Sequence, residues 1–256
     1  MAIYAIADTH LSFGCEKPMD IFAGWSNYVE RIEQNWRAVV QEKDTVVLPG
    51  DISWGMSLED ALPDFQFLHS LPGTKIIMKG NHDYWWNSRR KIEDLWSANG
   101  LSTLRLLHNN AFEAEGFAIC GSRGWFFDSE EAKDGTAVQK IILREAGRLR
   151  TSVQAGKQLL KAAAQDQHSA DEPSQTPIFP AEHLLVFLHY PPIANGRVCS
   201  EMMEVLLSEE VTRCYYGHLH GQSIKWAHRG DYEGIRFELV SADALQFVPK
   251  RIAQGV

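Results

Sequence analysis

Apolar positions along the chain follow two periods, and the period changes where the elements change. AIYAIAD (2–8) is an unbroken apolar run that ends in a carboxylate, which predicts a buried strand. Over 20–42, Ile21, Trp25, Tyr28, Ile32, Trp36 and Val39 recur three and four apart, the stripe of an amphipathic helix. TVVLPGD (45–51) returns to a continuous run and breaks at Pro-Gly, predicting a second strand. In SLEDALPDFQFLHSL, Ser57 stands as an N-cap with Asp60 three positions on as its capping-box partner. TKIIMKGNHDYWW (74–86) opens with a third strand that ends in Gly-Asn-His, and 88–99 reads as a helix. The first hundred residues therefore spell βαβαβα, a layered α/β sheet.

Beyond residue 100 the strands crowd together. LRLLHN, AFEAEGFAICGS, HLLVFLHYPP, RCYYGHLHG, SIKWAHRG and IRFELVSAD all read as β, with one long helix from about Ala137 to Ala164. Two sheets with helices outside them are expected. After the long helix, QDQHSADEPSQTPIFPAE is polar and carries three prolines, predicting an exposed, flexible loop at about 165–181 inside a single domain spanning 1–256.

Composition narrows the classes of function. The 256 residues suffice for one sizeable core. A net charge of −8 opposes wrapping long nucleic acid, so none is expected as a partner. Phosphate substrates stay compatible, because bound cations can supply positive charge locally. Cys15, Cys120, Cys199 and Cys214 form no C-x-x-C pair and read as reduced, small apolar residues. No apolar run approaches the roughly 20 residues of a membrane helix, and MAIYAIAD lacks the basic start of a signal peptide. A cytoplasmic location without integral membrane contact is the default expectation; the oligomeric state is open.

The chemistry collects where apolar runs stop. AIADTH ends in Asp8 and His10, VVLPGD in Asp51, IIMKGNHD in Asn81, His82 and Asp83, VFLHYPP holds His189, and CYYGHLH holds His218 and His220. Ligands in open α/β sheets bind at the carboxyl ends of strands, so these termini can converge. Alternation along a strand would send His218 and His220 to one face, with Gly217 letting the backbone approach closely. Two Asp, one Asn and four His offer hard oxygen and borderline nitrogen without thiolate. That set suits Mn²⁺ first, or Fe, Zn²⁺ or Ni²⁺, and not a structural zinc cage. Seven ligands are too many for one tetrahedral ion. They suit two ions about 3.5–4 Å apart sharing a carboxylate, an arrangement built for in-line displacement at phosphorus.

D-x-H, G-D, G-N-H-D, a solitary strand-end His and G-H-x-H, in that order over positions 8 to 220, resemble the calcineurin-like metallophosphoesterase superfamily. GDISW, KGNHDYWW, GSRGWF, FLHYPP and CYYGHLHG resemble, more narrowly, a group of bacterial predicted phosphohydrolases without a firm substrate. The resemblance implies a four-layer α/β/β/α sandwich of two mixed sheets flanked by helices. It implies a phosphohydrolase acting on a phosphomonoester or phosphodiester of a small-molecule, nucleotide or lipid-like substrate. Asp8, His10 and His220 would hold one divalent ion, Asn81, His189 and His218 the other, with Asp51 bridging them. A hydroxide between the ions would be the nucleophile. His82 would sit over the phosphoryl group as general acid or charge stabiliser, with Asp83 orienting its imidazole. The superfamily often carries a second acid just beyond G-D; here GDISWGM has none before Glu59, so no further partner for His82 is assigned.

Substrate contacts are expected from Trp54, Arg123 and Arg197, because aromatic walls and guanidinium groups suit phosphoesters. Tyr84, Trp85, Trp86, Arg89, Arg90, Trp125 and Asn195 flank the same motifs, with Trp85 and Trp86 read as packing and Asp243 and His228 as structural. Two alternatives stand beside this reading. A nuclease on the same fold would want a basic groove, and a non-catalytic scaffold would be expected to have lost ligands or His82.

Overall fold

The computed structural model describes residues 1–125, 135–167 and 181–255. Its first half runs β1 (Ala2–Ala5), α1 (Tyr28–Val39), β2 (Thr45–Leu48), α2 (Leu58–Ser70), β3 (Thr74–Ile77), α3 (Arg89–Ala98) and β4 (Leu104–Leu106). The second half begins with β5 (Phe112–Ala114), β6 (Phe117–Ser122), α4 (Gly135–Gln167), β7 (Leu184–Leu188) and a hairpin of β8 (Ile193–Ala194) and β9 (Arg197–Val198). It continues with α5 (Ser200–Ser208), β10 (Arg213–Tyr216), β11 (Gly230–Tyr232), β12 (Ile235–Leu239) and β13 (Lys250–Gln254). One sheet has the order β13-β1-β2-β3-β4, parallel except for β13; the other has the order β11-β12-β10-β7-β6-β5, with four parallel central strands and antiparallel edges.

Strand alternation explains the layering. Val46 and Leu48 turn toward Ile32, Trp36 and Phe65 of α1 and α2, while Val47 turns the other way, into a core with Ile76, Leu185, Phe187 and Tyr215. In the second sheet Leu184, Val186 and Leu188 pack on Ile142, Leu149 and Val153 of α4 and Met202 and Leu206 of α5. Three cores thus separate four layers, α/β/β/α, as the sequence implies. Ser57 and Asp60 form the expected capping box at α2, with bonds of 3.1 and 3.0 Å.

Several boundaries differ from expectation. The helix predicted over 20–42 begins only at Tyr28, because Gly24 (φ +89°) and Asn27 (φ +50°) turn the backbone left-handed. Ile21 falls in a short 3-10 turn and is 78% exposed, whereas Trp25 is buried from the loop. The first half of SIKWAHRG belongs to a 3-10 turn, Gly221–Trp226, Ala227 makes a single bridge to Ala194, and the strand begins only at Gly230. β13 was not expected, because KRIAQ buries only Ile252. The loop predicted at about 165–181 lies largely outside the described residues; 165–167 close α4 and Ala181 opens a 3-10 turn. The four cysteines are free thiols, three of them buried. No helix among the described residues is long and apolar enough to cross a membrane.

Candidate metal centre

Each predicted ligand follows the carboxyl end of a strand: Asp8 and His10 after β1, Asp51 after β2, Asn81 after β3, His189 after β7, His218 and His220 after β10. The loops bend sharply there. Asp8 (φ 58°), His10 (45°), Asp51 (52°) and His218 (70°) all take the left-handed conformation, which L-residues avoid by about 1 kcal/mol and which gathers at functional sites. His218 and His220 therefore do not alternate along a strand. β10 stops at Tyr216, and the two imidazoles reach different parts of one centre.

Cross-ties hold the loops in register. The His218 N–H donates to both Asp8 carboxylate oxygens, at 3.0 and 2.9 Å, and the His82 N–H to Asp51 Oδ1 at 2.8 Å. Two glycines let the loops close. A Cβ on Gly217 would lie 2.6 Å from the Ala7 Cβ and 2.7 Å from Asp8 Oδ2, and one on Gly80 would lie 2.1 Å from Asp51 Oδ1.

Two donor groups result, and Asp51 belongs to both. Ligand atoms of Asp8, His10 and Asp51 lie within 4.8 Å of one another, as do those of Asp51, His189 and His218. Asn81 Oδ1 joins the second group, 2.6 Å from His189 Nε2 and 2.9 Å from His218 Nδ1. The His220 ring stands edge-on to His10 with centroids 5.3 Å apart, beside the first group.

The atoms facing this centre fit divalent cations. Both His10 ring nitrogens and Asp51 Oδ2 are buried without a hydrogen-bond partner, which is costly for groups that cannot reach water. Asp51 Oδ2 lies 3.5 Å from His189 Nε2 and 3.9 Å from His10 Nε2. His189 Nδ1 faces the Pro49 carbonyl at 3.0 Å, which an N–H must satisfy. Its Nε2 lone pair then points at Asn81 Oδ1 and Asp51 Oδ2, so acceptors converge on acceptors. Electrostatics agree. Burial pushes Asp8 up to about 8, with Asp243 and Asp83 adding to it, and burial with Asp83 and Asp8 pushes Asp51 well above its usual range. Burial drives His10 and His189 well down and His218 to about 3. Burial already leaves these imidazoles unprotonated, as ligands must be, and cations among them would favour the ionised form of the two carboxylates.

His82 lies beside the ligands without joining either donor group. Its Nδ1 is 3.3 Å from the Tyr84 hydroxyl, and burial with the neighbouring His220 lowers it to about 4. Asp83 does not reach that imidazole by any hydrogen bond. Its carboxylate accepts the backbone N–H groups of Gly80, Asp51, Ile52 and Ser53 and the Trp85 indole N–H. The expectation that Asp83 orients His82 is thus corrected: the turn at Gly80 folds this carboxyl inward, to clamp the β2 and β3 loops together.

Trp54 stacks on His10 (centroids 4.8 Å, 20° between planes) and lies 4.6 Å from His82. Arg123 turns elsewhere, toward buried Glu145 of α4 at 3.8 Å and the Trp125 ring, while its carbonyl accepts the N–H groups of His189 and Tyr190. Arg197 lies on the exposed β8–β9 hairpin, joined to the 221–226 turn through Asn195 N–H and the Trp226 carbonyl. Trp85 and Trp125 are core, and Arg89 and Arg90 pair with Glu93 and Asp94 along α3.

Sequence inspection missed Asp64. On α2 the fully buried Asp64 carboxylate accepts from the Ser53 hydroxyl and, at 2.8 Å, from Phe13 N–H. It braces the loop that carries Trp54.

Residues 1–222 match the family model of the calcineurin-like phosphoesterases. An uncharacterized protein of Methanocaldococcus jannaschii, MJ1445, is 31% identical over 112 residues, covering 42% of this chain; the match spans 58% of the length of that curated relative. Among solved structures, the protein of unknown function AQ665 from Aquifex aeolicus aligns with a TM-score of 0.47 at 16% identity, covering 98% of this chain and 95% of that one. The phosphopantetheinyl hydrolase PptH from Mycobacterium tuberculosis aligns with a TM-score of 0.49 at 14% identity, with the same coverages of 98% and 95%. With the family model matched from residue 1 through both histidines of the G-H-x-H motif, the chain belongs to the calcineurin-like phosphoesterase family.

Proposed function

We propose that this chain is a dinuclear metal-dependent phosphohydrolase that cleaves a phosphomonoester or phosphodiester of a small-molecule, nucleotide or lipid-like substrate. Family membership implies metal-dependent phosphoester hydrolysis. The observation that carries the finer proposal is Asp51: its buried Oδ2 has no hydrogen-bond partner and stands between two donor groups. Asp8, His10 and His220 would hold one divalent ion and Asn81, His189 and His218 the other, Mn²⁺ being the first choice for this oxygen and nitrogen set. When bound, such ions supply a water of lowered pKa and neutralise phosphoryl oxygens. The chain does the rest. The Pro49 carbonyl fixes the His189 tautomer, Trp54 packs His10 against His82, and the His82 imidazole, neutral at pH 7 in the free chain, stabilises through its ring N–H the charge developing on the leaving oxygen, or donates a proton to it once a bound phosphoester anion favours its charged form.

The test is hydrolysis of an aryl phosphodiester and its matching monoester by chelated and Mn²⁺-reloaded protein, with titration calorimetry of metal binding. Wild type should bind two ions per chain and turn over at least one ester only when reloaded. Asp51→Asn should lose both properties together. An Asp51→Asn protein that still binds two ions and still turns over would overturn the bridging role.

A further inference from the structure

Exposed large apolar side chains gather on the connections that carry the candidate ligands. Six of the twelve exposed large apolar side chains among the described residues lie on the connections that follow β1, β2, β3 and β10: Phe13, Ile21, Phe22, Met56, Tyr84 and Trp226. These connections also bear the candidate ligands, so the side chains follow the same strand ends as the centre, Phe13 packing against Phe67 of α2 at 5.1 Å between ring centroids. Several contacts tie these connections to the centre. The Tyr84 hydroxyl reaches His82, Trp25 just beyond Phe22 lies 6.0 Å from the His220 ring, and the turn ending at Trp226 starts from His220. Ile21 is the extreme case, with 78% of its surface exposed in a loop that could have turned it inward as it does Trp25. Lysines stand among these groups: Lys17 Nζ lies 5.1 Å over the Trp54 ring and Lys225 Nζ 5.9 Å over Trp226.

Large apolar groups left exposed mark a surface that is covered in use. Here the cover must also deliver a phosphoester to the metal centre. Aromatic and aliphatic tips interspersed with ammonium groups on apolar stems match the boundary between acyl chains and anionic headgroups. We propose that the substrate is an amphiphilic phosphoester presented at a lipid surface, and that Phe13, Ile21, Phe22, Met56, Tyr84 and Trp226 seat that surface while the headgroup phosphate enters the metal centre. The proposal rests on the phosphoesterase reading and narrows its substrate class.

Two readouts separate the proposal from its foundation. The Mn²⁺-loaded full chain is sedimented with mixed phosphatidylcholine and phosphatidylglycerol vesicles, and kcat/KM is compared for methyl and dodecyl p-nitrophenyl phosphodiesters. Wild type should co-sediment and favour the dodecyl ester at least about tenfold, the equivalent of burying about two methylenes. The double variant Ile21→Glu, Phe22→Glu alters two exposed side chains outside the catalytic machinery. It should stay in the supernatant and lose the chain-length preference, with its Tm and its rate on the methyl ester unchanged. The single variant Ile21→Glu, at the most exposed position, should move both readouts in the same direction. Hydrolysis of the methyl ester without vesicle binding or chain-length preference would overturn the lipid proposal and leave the phosphoesterase reading standing. A concentration-dependent dimer abolished by the double variant, with no vesicle binding, would overturn it in favour of a second copy as the cover. Failure to hydrolyse either ester with Mn²⁺ bound would overturn the reading beneath it.

Discussion

Asp83 holds Asp51 by its backbone: the Asp83 Oδ2 accepts the Asp51 N–H at 2.9 Å, and the same oxygen accepts Gly80 N–H at 2.6 Å. With Ile52, Ser53 and the Trp85 indole on the other oxygen, one buried carboxylate organises the turns after β2 and β3. Asp83→Ala should therefore act as a structural lesion at the site. Hydrogen bonds to a charged group contribute about 1.5–3 kcal/mol, and buried N–H groups would be left unpaired. A loss of about 3 kcal/mol lowers Tm by roughly 6–12 °C for a chain of this size. Scanning calorimetry checks this. Metal affinity should fall at both donor groups, because Asp51 is displaced.

His82→Ala should do the opposite. Both ions should still bind by calorimetry, since His82 stands outside both donor groups, while the turnover number falls by roughly 10²–10⁴, the span for a positioned proton donor. Loss of an ion from this variant would move His82 into the ligand set.

Gly217→Ala places a methyl group 2.7 Å from Asp8 Oδ2 and 2.6 Å from the Ala7 Cβ. The loop must shift, and Asp8 with it. Disturbing a group that supports a ligand typically costs 10–100-fold in metal affinity. We expect that loss at the ion held with Asp8, the second ion being retained, as measured by titration with Mn²⁺.

Asp64 gives a pH prediction with a definite sign. Burial raises its carboxyl from 3.8 to about 6, so the folded chain holds this proton more tightly than the unfolded chain does. Between about pH 4 and pH 6 stability should fall as pH rises, then level off, with a span of about 3 kcal/mol. Asp64→Asn should remove that slope and be more stable than wild type above pH 6. Urea unfolding at pH 5 and pH 7 tests it; an unchanged slope in the variant would assign the effect to another group.

The convergence of the candidate ligands was legible because each ends an apolar run, and strand ends on one side of parallel sheets must meet. Asn81, His189 and His218 illustrate this: they are far apart in sequence, yet Asn81 Oδ1 touches both imidazoles. What was not legible came from local geometry and from long-range packing. Nothing in GNHD says that Asp83 turns inward while His82 turns toward Tyr84. Asp64 reads as an ordinary polar position of a helix until α2 is packed against Ser53. The helical period that runs through Ile21 and Trp25 continues across Gly24 and Asn27, whose left-handed backbone ends it, so an apparent core residue emerges on the rim. Arg123 was expected among the substrate contacts from its place after β6, and its side chain turns toward Glu145, which the sequence keeps far off on α4.

The left-handed backbones of Asp8, His10, Asp51 and His218 bear on how this chain can be altered. Glycine would be at ease at all four positions, and each replacement would relieve a conformational cost of about 1 kcal/mol. Selection for toughness alone would weigh that relief against the cross-ties from the Asp8 and Asp51 carboxylates to the His218 and His82 N–H groups, and would give the metal-facing atoms no weight at all. A thermostability screen read without an activity assay would therefore be blind to the loss of those atoms, and the four positions mark where robustness and chemistry make different demands on the same residues.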